Sequence, residues 1–171
     1  MTRRDFIIKW LLYTLALLPI FILNQYVLPW FPIFGIIPTL LPVASVTLAV
    51  LEGPVGGAGF GLFVGILADA LIPGLPGWFT LLFPLLGLGA GAAARYGIHQ
   101  SYPGCLICST GALVLIDLGR VIYYLMRSYG TVWELLSVAV PEILLSLLFS
   151  PLIYGIFLWV HRRVPQASSV L

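Results

Sequence analysis

Long apolar segments alternate along this chain with short turns that are polar or rich in glycine and proline. The segments approach the length of about 20 residues that a helix needs to cross a hydrocarbon core of roughly 30 Å. We therefore predict six membrane-spanning helices, at 6–28, 34–51, 55–72, 78–94, 103–126 and 138–160. Because Pro38 and Pro42 fall in the second segment, we expect that helix to be kinked or partly irregular.

Basic residues are distributed unequally between the two sides that six crossings define. One side receives both termini, the turn at Glu52 and the loop at Arg95, and the opposite side has only Arg127. The basic residues of the richer side are Arg3, Arg4, Lys9, Arg95, Arg162 and Arg163. The positive-inside rule then places both termini in the cytoplasm, and the five tryptophans fall near span ends, as expected at a membrane interface.

The composition supports a membrane protein with one domain, 1–171. Hydrophobic residues make up 61% of the chain and charged residues 8%, whereas soluble domains carry about 25% charged residues. The mean hydropathy of +1.10 agrees. So little charge cannot cover a water-exposed surface, and the small net charge of +2 argues against nucleic-acid binding.

Glycines recur at every fourth position in the third predicted span and lead to an aspartate. Residues four apart share one face of a helix, and a face without side chains lets another helix approach closely. The series is Gly53, Gly57, Gly61, Gly65 and Asp69, and the fourth span has a shorter one, Gly87 and Gly91. The spacing predicts a packing interface with a neighbouring span or a partner protein, and it leaves both open.

Four ionisable residues lie within the predicted spans, where charge is costly and is commonly functional. They are Asp69, Asp117, Arg120 and Glu142. With a rise of about 1.5 Å per residue, all four fall in the outer half of the membrane. Our hypothesis is that Arg120 is the centre of a polar cluster, since one guanidinium can bind two carboxylates. The alternative is that these groups lie at the headgroup boundary and contact water.

No catalytic or metal-binding set is evident in the sequence. His99 and His161 are predicted near the cytoplasmic boundary, away from the carboxylates. Cys105 and Cys108 form a CxxC pair without further ligands, so we expect them to pack as small apolar residues. The chain is therefore predicted to be no enzyme and to bind no cofactor.

The glycine and proline pattern resembles the rod shape-determining protein MreD family. The residues that carry the likeness are Pro38, Pro42, Glu52, Gly53, Gly57, Gly61, Gly65, Asp69, Gly74 and Gly77. The last span is also similar to that family's ending, with Pro141 at its start, Ser150-Pro151-Leu152 in its middle and Arg162-Arg163 after it. The likeness covers 34–163, and Glu142 stands where relatives more often have threonine or asparagine.

The resemblance implies an all-α, six-helix polytopic bundle like the substrate-binding subunits of energy-coupling-factor transporters. It implies a scaffold of the elongation complex in the bacterial cytoplasmic membrane, which binds the single-span protein MreC. With MreC, the chain would help to couple MreB filaments to peptidoglycan synthesis and so contribute to cell shape. The alternative is a vitamin-transporter substrate subunit, whose ligand pocket would lie at the level of Asp69, Arg120 and Glu142. Short outer loops and the absence of a clear Ala-x-x-x-Ala pattern in the first span argue against it.

Overall fold

The computed structural model describes residues 3–30, 35–71, 77–96, 101–127 and 132–163, without the side chains of Arg3, Asp5, Phe6 and Leu71. Every regular element among them is helical, so the predicted all-α class is confirmed. The helices are α1 (Arg3–Ile22), α2 (Leu41–Glu52), α3 (Pro54–Leu71), α4 (Trp78–Tyr96), α5 (Tyr102–Met126), α6 (Val132–Leu148) and α7 (Ser150–Arg163). A π-helical turn, Leu23–Val27, and a 3-10 turn, Leu28–Trp30, continue α1. Gly74 and His99 lie outside the described residues.

Several helices are long and apolar enough to cross a membrane. The three that qualify within the described ranges are Ile7–Trp30, Trp78–Tyr96 and Tyr102–Met126, and the bent pair α6–α7 would be a fourth. Helices α2 and α3 are shorter apolar helices. Large apolar side chains project outward from the long helices, for example Leu81 and Leu118. Such a surface suits lipid, because soluble monomers rarely expose contiguous apolar patches of this kind.

Helix α2 forms the centre of the bundle. It is apolar on all sides, which is typical of a fully enclosed helix, and all its residues except Glu52 are buried. Its neighbours are α1, α3, α4, α5 and α7. The expected irregularity at Pro38 and Pro42 is confirmed, since the helix begins only at Leu41, with Pro42 in its first turn.

The irregular backbone before α2 is satisfied by side chains from other elements. The Leu40 amide donates to Asn24 Oδ1 over 2.8 Å, and the Thr39 amide donates to Ser146 Oγ over 3.0 Å. Non-helical backbone is tolerated at membrane depth where it is buried in protein and hydrogen-bonded. The helix ends at Gly53, whose φ of +89° is readily adopted only by glycine.

The last predicted span, 138–160, is two helices in the structure. Helix α6 begins at Val132, six residues earlier than predicted, and α7 follows at an angle of about 40°. Pro151 lies in the first turn of α7 and has no amide hydrogen to continue the ladder from α6. The break therefore coincides with the Ser150-Pro151-Leu152 step.

Candidate functional site

The glycine series of α3 packs directly on the backbone of α4. A Cβ atom added at Gly61 would lie 2.5 Å from the carbonyl oxygen of Phe83, and one at Gly57 would lie 2.7 Å from that of Gly87. At Gly65 the corresponding distance to a backbone oxygen of α4 is also 2.5 Å. These distances leave no room for any side chain. The predicted packing face is therefore used within this chain.

The shorter glycine series, on α4, lies on the opposite side of the same interface. A Cβ at Gly87 would lie 2.3 Å from the Gly57 carbonyl oxygen, and one at Gly91 would lie 2.6 Å from the carbonyl carbon of Gly53. A Cβ at Gly53 itself would have no atom within 4 Å, so this residue serves the turn through its positive φ. Helices α3 and α4 thus form an antiparallel pair with backbones in contact.

Asp69 caps the start of α4. Its Oδ2 accepts hydrogen bonds from the Thr80 amide, over 2.8 Å, and from Thr80 Oγ1, over 2.5 Å, while Oδ1 accepts from the Phe79 amide over 3.2 Å. A carboxylate satisfies amide groups that are unpaired at a helix N-terminus and interacts favourably with the helix dipole. Among the described residues, Asp69 bonds to the start of α4, whereas the ion pairs of Arg120 are with Asp117 and Glu142, so the predicted contact between Asp69 and Arg120 is not seen.

Replacing Asp69 with alanine is expected to lower the free energy of unfolding by about 1 kcal/mol, the usual value of a helix cap. For a chain of this size the melting temperature in detergent should fall by about 3 °C. Asp69→Asn keeps an accepting oxygen and is the matched control. Its melting temperature should fall less than that of the alanine variant. An alanine variant that melts like the wild-type chain would contradict the capping role.

Arg120 binds the other two predicted carboxylates, and we call these three residues the outer cluster. Arg120 Nη1 donates to Glu142 Oε1 over 3.0 Å, to Glu142 Oε2 over 3.2 Å and to Asp117 Oδ1 over 3.1 Å. Asp117 is 7% exposed and Glu142 is 5% exposed. Thr39 Oγ1 also donates to Glu142 Oε1 over 3.1 Å. The cluster joins α5, α6 and the segment before α2.

A cavity of about 130 Å³ lies beside the outer cluster, between α5 and α6. Its walls are the three charged residues together with Val121, Tyr124, Leu135, Val138 and Ala139. Asp117 Oδ2 is buried and has no hydrogen-bond partner among the residues that the structure describes. With both carboxylates ionised, the cluster carries a net charge of −1.

The structure also assembles an ionic cluster that the sequence analysis missed, which we call the inner cluster. Lys9 forms an ion pair with Glu52, and the Tyr13 hydroxyl donates to Glu52 Oε1. His161 Nδ1 lies 3.0 Å from Glu52 Oε1 and 2.8 Å from the Tyr13 hydroxyl. The beginning of α1 and the ends of α2 and α7 therefore meet at one end of the bundle. One available signal was that Lys9 and Tyr13 are four residues apart, on one helical face.

An apolar groove of about 580 Å³ runs between α4 and α5. Its walls include Trp78 and Leu115, and small residues such as Gly89, Ala93 and Gly111. A Cβ atom at Gly89 or Gly111 would have no atom within 4 Å. These two glycines, unlike Gly57, Gly61 and Gly65 of α3, make no close packing contact with the part of the chain that the structure describes.

The cysteine pair is part of the packing. Cys105 is buried in a small apolar cluster, and its Sγ lies 3.3 Å from Thr47 Oγ1. Across the described ranges, histidine, cysteine, aspartate and glutamate form no group of three that could hold a metal ion.

Comparison with known proteins gives no assignment: no protein-family model, curated protein or solved structure matches this chain.

Proposed function

We propose that this chain is a non-enzymatic adaptor of the bacterial cell-elongation machinery, similar to MreD, with six crossings of the cytoplasmic membrane and both termini in the cytoplasm. The proposal rests on one observation, namely what the glycines and the aspartate that carry the resemblance to MreD do in the structure. Gly57, Gly61 and Gly65 let α3 pack closely on the backbone of α4, and Asp69 caps α4. The pattern therefore builds a closely packed helix pair, which supports a structural role.

The inner cluster supports an even number of crossings. It joins the start of α1, the end of α2 and the end of α7, which six alternating crossings would bring to one side. In this arrangement α1, α2, α3, α4, α5 and the α6–α7 pair are the six crossings. The shortness of α2 is compatible with it, because α2 is enclosed by other helices and the backbone before it is hydrogen-bonded.

The groove between α4 and α5 is where we propose that the single membrane-spanning helix of MreC binds. Helices associate in lipid through close backbone contact at small residues, because lipid offers no hydrophobic driving force. Gly89 and Gly111 give the groove two such positions, and a Cβ at either would have no atom of the described residues within 4 Å. The apolar lining matches the apolar surface of a partner helix.

Gly111→Leu is expected to reduce co-purification of MreC from native membranes at least about fivefold, since a coupling of roughly 1 kcal/mol corresponds to that factor. The melting temperature should stay within about 1 °C of the wild-type value, because a Cβ atom at this position would have no atom of the described residues within 4 Å and the rest of the side chain extends into the groove. Gly155→Leu on α7 is the matched control, since its Cβ also enters open space. Equal MreC yields from the Gly111 variant and the control would refute the groove as the binding site.

The same purification tests the transporter alternative. A recovered vitamin and ATPase subunits would favour a transporter, whereas recovered wall-synthesis proteins would favour the adaptor. The cavity beside the outer cluster, at about 130 Å³, is well below the roughly 300–1,000 Å³ of drug-sized ligand sites, so a transported vitamin would have to bind in the groove of about 580 Å³ between α4 and α5.

A further inference from the structure

The last turn of α7 carries an arginine stacked on a tryptophan. Arg163 Cζ lies 4.1 Å from the centroid of the Trp159 ring, well within the roughly 6 Å over which a ring attracts a cation. Trp159 is 58% exposed, and Arg163 is exposed as well. The stacked pair therefore lies on the outer surface of the bundle and takes no part in the packing of its core.

The stack determines the direction of the Arg163 side chain. A helical side chain that contacts the residue four positions earlier is directed toward the start of its helix. Because α7 ends beyond the apolar segment, this direction leads back toward the membrane. Tryptophan rings at span ends prefer the headgroup region, so the guanidinium group on the Trp159 ring lies at the depth of the lipid headgroups.

The exposed face of α7 changes from apolar to basic along the helix. Leu152, which is 55% exposed, and Trp159 are seven residues apart and share this face. Arg162 and Arg163 follow at its end, and both are exposed. The order of apolar, aromatic and basic side chains matches a phospholipid read from its acyl chains to its headgroup.

The positive charge of the two arginines faces the exterior of the protein. Glu52, a carboxylate described at the same end of the bundle, pairs with Lys9 and with His161. A guanidinium group binds phosphate oxygens through two parallel hydrogen bonds, and anionic lipids of the cytoplasmic leaflet attract basic residues at its surface. A lipid suits this site better than an acidic cytoplasmic protein, because the stack directs Arg163 toward the membrane.

We propose that Trp159, Arg162 and Arg163 form a binding site for an anionic phospholipid. The two guanidinium groups bind its phosphodiester, and its acyl chains lie along the exposed face of α7. This surface is separate from the groove between α4 and α5, and its test does not depend on the adaptor function.

The test is a competition between two lipids for the purified full chain in a non-ionic detergent. Phosphatidylglycerol and phosphatidylcholine with the same acyl chains are added at equal concentrations, and native mass spectrometry measures how much of each is bound to the chain carrying one lipid. Both lipids have the phosphodiester, but the choline cation is repelled by the arginines. At about fivefold for each arginine, phosphatidylglycerol should be favoured about 25-fold.

Two variants locate the effect. Arg163→Gln should reduce the preference for phosphatidylglycerol about fivefold. Trp159→Leu keeps every charge but removes the ring that positions Arg163, and should reduce the preference about threefold. Arg95→Gln is the matched control, since it removes an exposed arginine at the end of α4, and it should keep the preference. All three positions are exposed, so thermal unfolding followed by circular dichroism should match that of the wild-type chain.

The proposal is overturned if the wild-type chain binds the two lipids equally, a result that would favour an acidic protein surface as the partner of these arginines. It is overturned if Arg95→Gln loses as much preference as Arg163→Gln, because the effect would then be one of positive charge in general. A folded Trp159→Leu variant with the full preference would also overturn it.

Discussion

Gly61→Leu is expected to lower the free energy of unfolding by about 3 kcal/mol, near the upper range of overpacking costs, because its Cβ would lie 2.5 Å from a backbone oxygen of α4. The neighbouring atom is the backbone oxygen of Phe83, which cannot move away by a change of rotamer as the end of a flexible side chain can. The two helices would have to separate, and their polar and apolar contacts would be lost together. In thermal unfolding this corresponds to a fall of about 9 °C.

The matched control is Gly111→Leu, which makes the same chemical change on α5, where an added Cβ would have no described atom within 4 Å. We expect the Gly61 variant to lose stability and, with it, co-purification with MreC. The Gly111 variant should lose only the co-purification. Equal melting temperatures for the two variants would show that the α3–α4 contact does not limit stability.

Arg120→Met is expected to lower the free energy of unfolding by about 4 kcal/mol, because it leaves Asp117 and Glu142 buried without their cationic partner. Removing one member of a buried ionic group costs more than the group contributes as a whole, since the remaining charges stay desolvated. Thermal unfolding in detergent should show a fall of about 12 °C.

Arg127→Met is the control for Arg120→Met. Arg127 directly follows α5 and is exposed, and its Cζ lies 5.5 Å from the centroid of the Tyr123 ring. Its replacement should therefore lower the free energy of unfolding by less than about 1 kcal/mol. Combining Arg120→Met with Asp117→Asn and Glu142→Gln removes all three charges and should restore part of the loss. If the Arg120 and Arg127 variants melted alike, the outer cluster would have no stabilising role.

The glycine spacing predicted the α3 interface because a period of four fixes one helical face regardless of what lies opposite. It could not tell whether α4 or another protein would occupy that face, since an absent side chain carries no information about its neighbour. The same limit applied to Asp69, Asp117, Arg120 and Glu142. The rise per residue indicates depth along each helix, but the direction of each side chain around the bundle depends on how the helices pack.

Local patterns could indicate only one part of the inner cluster, the shared helical face of Lys9 and Tyr13. Glu52 and His161 are 109 residues apart, and the sequence placed Glu52 only in a turn. Helix α2 posed a related difficulty, because its apolar run is equally typical of a lipid-facing span and of an enclosed helix. Burial on all sides became visible only when the five surrounding helices were in place.

The inner cluster joins the beginning of α1 to the end of α7, and this has a consequence for biosynthesis. Lys9 and Glu52 leave the ribosome early, whereas His161 emerges only after α1 to α6 have been made. The full set of contacts around Glu52 therefore cannot form during translation of the first helices. Final closure of the bundle therefore requires that α7 has been inserted beside α1.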